Sequence, residues 1–382
     1  MAAFLVPPYE DGCRLTLRRL LNLYRVRWQY SRRSLKLRGY PLILTVEATN
    51  VCNLRCPACF TGAGEVGRTR SFLPMDQYRA LLRELGPYAF RVEFYNWGEP
   101  LLNKDVFEMV REAKRYGAST VISTNFSVPF DAERAERLVE AGLDVLGVSL
   151  DGATQETYEK YRVRGDIRRV LENCRLVRDA KRRLGSVKPR LVWEYHVFEH
   201  NVHETEEAKR LAAELEMDIS IDKGWVVGDD WDTESKFAYF VNPSARPCDF
   251  LWQRAIVQND GGVAPCCGTF YKEDDFGSIW EGDGGNRRFR EVWNNESFQT
   301  ARRLFHRREG GEDARRLVCY DCPATIIWES YQKHIAAGKD PAAFQITYTT
   351  NDSFHYFFNR RPARSAPPIA EGDLLEVLPA SR

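Results

Sequence analysis

An α/β fold of successive βα units, followed by a small cysteine-rich module, is predicted by three features of this 382-residue chain. Between about residues 40 and 225, short β-branched runs alternate with longer amphipathic ones, the pattern of a parallel sheet. The ends of the first four expected strands carry cysteine or polar residues, and near residue 243 the texture changes to a hairpin signal among further cysteines. Six βα units are two short of a closed eightfold barrel, so an open six-stranded barrel and a doubly wound sheet both fit. In either, function collects at the carboxyl ends of the strands.

The first strand, "YPLILTVEA" (40–48), runs into Cys52, Cys56 and Cys59, and a helix follows around 75–86. "FRVEFYNWG" (90–98) ends on Gly98-Glu99-Pro100, and a helix at 103–116 returns the chain. "STVISTN" (119–125) ends on Ser123-Thr124-Asn125, and "DVLGVSL" (144–150) leads into Ser149 to Gly152. "PRLVWEYHVF" (189–198) and "MDISIDKGW" (217–225) complete the six, with helices near 131–141, 155–184 and 203–215. Beyond residue 243, Asn259-Asp260-Gly261-Gly262 marks a hairpin turn, "FREVWNNESFQTARRLFHRRE" has the period of an amphipathic helix, and "CYDCP" closes the module. The expected divisions are an arm (1–39), the barrel (40–240), the cysteine-rich module (241–330), and an extension (331–382) that wraps the body and then frays.

Composition narrows the class. Hydrophobic residues at 43% and charged residues at 29% describe a globular chain, not a disordered or membrane-embedded one. A net charge of +1 gives no global pull toward nucleic acid. The start, "MAAFLVPPYEDGCRLTLRRL", lacks the features of a secretory signal, and no stretch offers the roughly 18 apolar residues of a spanning helix, so a cytoplasmic location is expected. In a reducing compartment ten cysteines read first as metal or redox ligands. Cys13 and Cys174 stand alone and read as ordinary buried thiols.

Cys52, Cys56 and Cys59 are not followed by a fourth ligand at the spacing of common zinc modules. Three thiolates on a four-iron cluster leave one iron open to a substrate or cofactor. Cys248, Cys266, Cys319 and Cys322 supply four thiolates, enough to close a second 4Fe-4S cluster, although structural zinc also suits a Cys-x2-Cys pair. Cys267 competes with Cys266 as the second member.

The Cys-x3-Cys-x2-Cys loop after a first strand resembles the signature of the radical S-adenosylmethionine (radical SAM) superfamily. That resemblance implies a partial (β/α)6 TIM-like barrel in which the open iron chelates S-adenosylmethionine, and an electron cleaves it to methionine and a 5′-deoxyadenosyl radical. Gly98-Glu99-Pro100 resembles the segment that binds the methionine amino group, although Trp97 replaces its first glycine. Ser123, Asn125, Ser149 and Asp151 resemble the strand-three and strand-four motifs near the ribose and carboxylate, with helix capping as the structural alternative. Arg162, in "YEKYR", stands where related proteins carry a carboxylate-pairing arginine, a role its fork of donors suits. Ala58 departs from the aromatic residue that many members place before the last cysteine. The segment around Cys248 and Cys266, with Gly261 five residues before Cys266, is similar to SPASM/twitch extensions, and the lack of further cysteines after Cys322 favours the shorter, one-cluster twitch type.

The resemblance further implies an electron donor such as a flavodoxin or ferredoxin. This one-auxiliary-cluster architecture resembles an aminocyclitol carbinol dehydrogenase, which implies oxidation of an alcohol carbon in a sugar, aminocyclitol or lipid-linked small molecule, the auxiliary cluster accepting the electron. Glu194, His196, Asp222 and Lys223, on strands five and six, are the candidate bases. A peptide-modifying maturase that crosslinks or epimerises residues is the competing enzyme, and a non-catalytic metal-binding scaffold is the competing class. No dedicated peptide-recognition domain is expected before the barrel. Residues 14–38 carry nine Arg or Lys and no Asp or Glu among leucines and aromatics, as in a helix lying on an anionic membrane surface or one packed on the barrel with a solvated basic face.

Overall fold

The computed structural model describes residues 12–223, 239–241, 247–280, 288–306, 311–340 and 346–348. Alternation along the β-branched runs produces the expected strands β1 (Ile43–Val46), β2 (Arg91–Phe94), β3 (Ser119–Thr124), β4 (Val145–Ser149), β5 (Arg190–Val197) and β6 (Asp218–Lys223). All six are parallel and lie in chain order across the sheet. Residues alternate between two faces. Leu44, Val46, Val92, Phe94, Leu146, Val148 and Trp193 are buried on one side, in a continuous core with the apolar faces of the intervening helices. Each such side chain contributes about 1.5–3 kcal/mol of burial. Thr45, Glu93, Ser123, Ser149 and Glu194 occupy the other, inner face.

The helices are α1 (Leu17–Ser31), α2 (Met75–Leu85), α3 (Val106–Arg115), α4 (Ala132–Glu140), α5 (Gln155–Tyr161), α6 (Ile167–Arg183) and α7 (Thr205–Glu214). The single helix expected over 155–184 is two. Arg164 adopts φ +70, and a Cβ on Gly165 would lie 2.5 Å from the Tyr158 ring, so the chain turns sharply there. Asp166 then restarts the helix by accepting from the Arg168 and Arg169 amides. Arg162 is left at the break, free to turn inward.

The cysteine-rich module does not stand apart from the sheet. After the described segment β7 (Tyr239–Val241), α8 (Phe250–Gln253) leads into β8 (Arg254–Val257), which pairs in parallel with β1, and β9 (Val263–Ala264) returns antiparallel across the expected hairpin. Among the described residues the sheet therefore has eight strands, two more than the βα pattern supplied. The amphipathic stretch near 289–309 also divides, into α9 (Phe289–Trp293) and α10 (Glu296–Leu304), because Asn295 caps the second helix. Helices α11 (Gly311–Arg316) and α12 (Pro323–Ala336) and strand β10 (Ile346–Tyr348), paired with β7, complete the described chain. The end of the sixth expected strand at 224–225 and the tail expected to fray lie outside the described residues.

Among the described residues no helix is long and apolar enough to cross a membrane. Cys174 is buried in α6, as its isolation suggested, and Cys13 is partly buried.

Candidate active site

The loop after β1 coils tightly around its three cysteines. The Cys59 amide donates to the Cys56 carbonyl at 3.2 Å and that of Ala63 to Cys59 at 2.7 Å. A Cβ on Gly62 would fall 2.3 Å from the Cys56 carbonyl oxygen, so only glycine closes this coil. The thiols lie near enough to disfavour one another's charge. Burial, then the charges of Cys56, Glu99 and Cys59, push Cys52 up, and burial with Cys56 pushes Cys59 up to about 11. Burial therefore favours the neutral thiols in the metal-free loop, and their ionisation would be coupled to binding an iron–sulfur cluster, for which thiolates are the ligands. Three donors already face the sulfurs: Leu54 N and Asn125 Nδ2 lie 3.5 and 3.7 Å from Cys52 Sγ, and Arg162 Nη1 lies 3.9 Å from Cys56 Sγ.

Around this loop the expected cofactor residues divide into two sets. Glu99 is buried and its carboxylate is spent on protein donors: Oε1 accepts from Leu101 N at 3.0 Å and Thr124 Oγ1 at 2.6 Å, and Oε2 from Asn125 N at 2.8 Å. It pins the end of β2 to the end of β3. A Cβ on Gly98 would sit 1.9 Å from the Thr49 carbonyl oxygen, and Pro100 opens a buried 3-10 turn, so Gly98-Glu99-Pro100 fits closely against the start of the cysteine loop. Asp151 is likewise buried. It accepts from Arg162 Nε at 2.6 Å and from the His196 amide at 2.8 Å, and faces His196 Nδ1 at 3.0 Å. Against the opposing effect of burial, Arg162 and His196 hold Asp151 down at about 2, and Asp151 raises His196.

Ser123 and Ser149 face inward instead. Their hydroxyls donate to Glu194 Oε2 at 2.7 and 3.1 Å, and Gly147 leaves the space that Glu194 Oε1 fills. None of the four expected strand-end residues caps a helix, since Asp131 and Thr154 cap α4 and α5. Of the candidate bases, Glu194 and His196 share the inner face of β5. Asp222 lies opposite His196 in register but is exposed and bonded to Ser220. Lys223 ends β6 opposite Val197, and its side chain lies outside the described residues.

In the second cysteine group, Cys248, Cys266, Cys319 and Cys322 line one small apolar cavity with Leu251, Phe305 and Val318, and Cys267 is exposed outside that ring. Burial, with the charges of the surrounding cysteines, pushes Cys266 up. Four thiols around one cavity are the number that closes a 4Fe-4S cluster.

Several inner residues had not been singled out in the sequence. Glu93 accepts from Thr45 Oγ1 and Tyr95 Oη, each at 2.7 Å, with Arg91 at 3.3 Å. Glu47 is buried, takes the Trp97 amide at 3.1 Å on Oε1 and leaves Oε2 without a partner, beside Gln258, whose Nε2 is also unanswered. A charged residue inside a β-branched run was the available signal. Trp97, in place of the motif glycine, sends its indole N–H to the Thr269 carbonyl at 2.9 Å and packs on Phe60 and Phe270, so it fastens the cysteine loop to the module.

The radical SAM superfamily model matches residues 46–193, and the iron-sulfur cluster-binding domain model called SPASM matches residues 248–323. The chain belongs to the radical SAM superfamily. The two domains together imply a 4Fe-4S cluster, S-adenosylmethionine and an auxiliary iron–sulfur cluster as cofactors. It is 34% identical over 142 residues to an Fe-coproporphyrin III synthase of Methanosarcina barkeri, covering 35% of each chain. It is 32% identical over 117 residues to a PqqA peptide cyclase of Bradyrhizobium diazoefficiens, covering 31% of this chain and 30% of that one. The match thus spans about a third of these relatives' length. Streptococcus suis SuiB bound to S-adenosylmethionine shares the fold of this radical SAM chain, with a TM-score of 0.57 at 14% identity over 86% of this chain and 81% of SuiB.

Proposed function

We propose that this radical SAM enzyme oxidises a carbinol or similar C–H site of a sugar, aminocyclitol or lipid-linked small molecule. The observation that carries the proposal is Glu194, an inward carboxylate on β5 whose Oε2 is held by two serine hydroxyls from β3 and β4. When bound, the two clusters supply the electron that cleaves S-adenosylmethionine to a hydrogen-abstracting 5′-deoxyadenosyl radical and an acceptor for the electron that the substrate radical must lose. The protein's own part is to hold the pieces. Cys52, Cys56 and Cys59 hold the first cluster, and Cys248, Cys266, Cys319 and Cys322 the auxiliary one, in a single-cluster module of the twitch type. Gly98, Glu99, Pro100 and Asn125 shape the wall that receives S-adenosylmethionine. Arg162, steered by Asp151, offers its guanidinium to the carboxylate.

Glu194 receives the hydroxyl proton as the carbinol becomes a ketone: the carbon gives up one hydrogen atom, the oxygen one proton, and one electron leaves. Its two serine donors engage Oε2 and so fix the carboxylate before substrate arrives, leaving Oε1 to take the proton. His196, Asp222 and Lys223 remain weaker candidates for the same task. A reduced flavodoxin or ferredoxin is the proposed donor.

The test is anaerobic turnover of the fully loaded enzyme with alcohols deuterated at the carbinol carbon. Deuterium in 5′-deoxyadenosine and a product two hydrogens lighter support the proposal. Crosslinked or epimerised peptide with no alcohol turnover would move the enzyme to the maturase class, and no 5′-deoxyadenosine at all would leave only a scaffold. Glu194→Gln should slow substrate oxidation about a hundredfold or more while S-adenosylmethionine cleavage persists.

A further inference from the structure

Helix α1 has two apolar faces, and among the described residues only one packs against the rest of the fold. Its inner face is fixed: Leu23, Val26 and Tyr30 are buried, and Arg19 donates to the carbonyls of Ala89 at 2.8 Å, Gly86 at 3.0 Å and Tyr116 at 2.9 Å. Opposite, Leu17, Leu21, Tyr24 and Trp28 are 73%, 53%, 68% and 61% exposed, with Leu20 at their edge. At about 100° per residue these five fall on one outward stripe, bordered by Arg18 and Arg25 on one side and Arg27 on the other.

The stripe runs into a second feature. Trp28 forms part of the wall of a cleft of about 740 Å³ that is also lined by Lys36, Arg38, Arg288 and Arg290. Among the described residues none of these four cations is ion-paired, and Glu291 is the one acid in the lining. Arg290 is held by the Tyr40 hydroxyl and the Arg38 carbonyl, at 3.1 Å each, but among the described residues no acid neutralises these cations, and an outward apolar stripe with arginine borders opening onto such a cleft calls for a partner that is apolar beneath and anionic at its surface.

We propose that α1 and this cleft dock the enzyme on an anionic lipid bilayer, the stripe entering the interface and the cleft receiving a phosphate headgroup. The arginines at the borders reach outward along the bilayer surface while their stems stay against the apolar layer. A second copy of the chain is the poorer occupant, because a two-fold contact through this face would set the same cations against one another. The arrangement also removes the conflict between the two readings of the basic arm: the helix is packed on the barrel and still presents a docking face. It is independent of which carbon the enzyme oxidises.

The experiment is flotation of the full-length, cluster-loaded enzyme with phosphatidylcholine vesicles, with and without phosphatidylglycerol. Binding to the anionic vesicles that falls with salt, and none to the neutral ones, is expected. Leu21→Glu with Tyr24→Glu should abolish it, and Arg38→Glu with Arg288→Glu should weaken it about tenfold or more, with iron content and melting temperature unchanged. No flotation of the wild-type enzyme, or equal flotation of both variants, would overturn the proposal. So would a dimer in gel filtration that the Leu21→Glu, Tyr24→Glu variant converts to monomer without any vesicle binding.

Discussion

A buried carboxyl with one oxygen unanswered, such as Glu47, is costly unless it holds a proton. Burial pushes it up to about 7 from an ordinary 4.5, against the pull of Arg68 and of the Trp97 and Asn259 amides. The native state therefore binds this proton more tightly than the unfolded chain does. Stability from this group is present at acid pH and is lost as pH rises from about 4.5 through 7, by about 3 kcal/mol in all. Glu47→Gln keeps an acceptor for the Trp97 amide but cannot ionise. Its melting temperature should exceed that of the wild type at pH 8 and converge with it near pH 5, and a constant difference across that range would show that Glu47 does not titrate there. The two adjacent module cysteines separate at the same scale. Cys266→Ala should cost the protein about four irons, whereas Cys267→Ala, outside the thiol ring, should cost none, as an iron assay of the purified variants would show.

Between elements, the cysteine loop is braced by the module as well as by the barrel. Arg68 is buried and donates to Asp260 Oδ1 at 2.8 Å, to both oxygens of Asp275 at 3.1 Å, and to the Phe270 carbonyl at 3.2 Å. Asn259 Nδ2 reaches Ser71 Oγ at 2.6 Å. Replacing Arg68 by Met would strand two acids in a nearly dry site, a change that costs about 3–5 kcal/mol. The expected result is a lower midpoint in urea together with poorer loading of the first cluster, although Arg68 touches no cysteine. Unchanged loading would mean that the loop holds its shape unaided. This brace also marks the limit of what the sequence reveals. Cys52, Cys56 and Cys59 lie within eight residues, so their spacing alone exposes them, and the strands show in their alternation. Arg68 and its partners are about 200 positions apart, and no local pattern joins them. For the same reason the motif residues were recognisable while their division of labour was not: that Glu99 and Asp151 face protein donors, and Ser123 and Ser149 face Glu194, depends on cross-strand register.

At the scale of the whole molecule, the proposed boundary near residue 240 divides the chain but not the sheet. β8 pairs with β1 over Ile43–Val46, the strand that delivers the cysteine loop, so a barrel cut free of its module would expose that edge. It would also lose Asp260 and Asp275 around Arg68, and Phe270 and Thr269 around Trp97. An unpaired apolar edge is a template for aggregation, and a buried guanidinium without its acids is a further penalty. The module is therefore expected to support the first cluster as well as to hold the second. Residues 1–240 produced alone should be insoluble or fail to assemble a cluster, and should release no 5′-deoxyadenosine. The full chain with Cys319→Ala and Cys322→Ala keeps β8 and the Arg68 brace, so it should retain the first cluster and still cleave S-adenosylmethionine, while oxidation of substrate stops. Measured side by side, the two separate mechanical support from electron transfer. A soluble 1–240 fragment with a full first cluster would show that β1 does not need its eighth-strand neighbour.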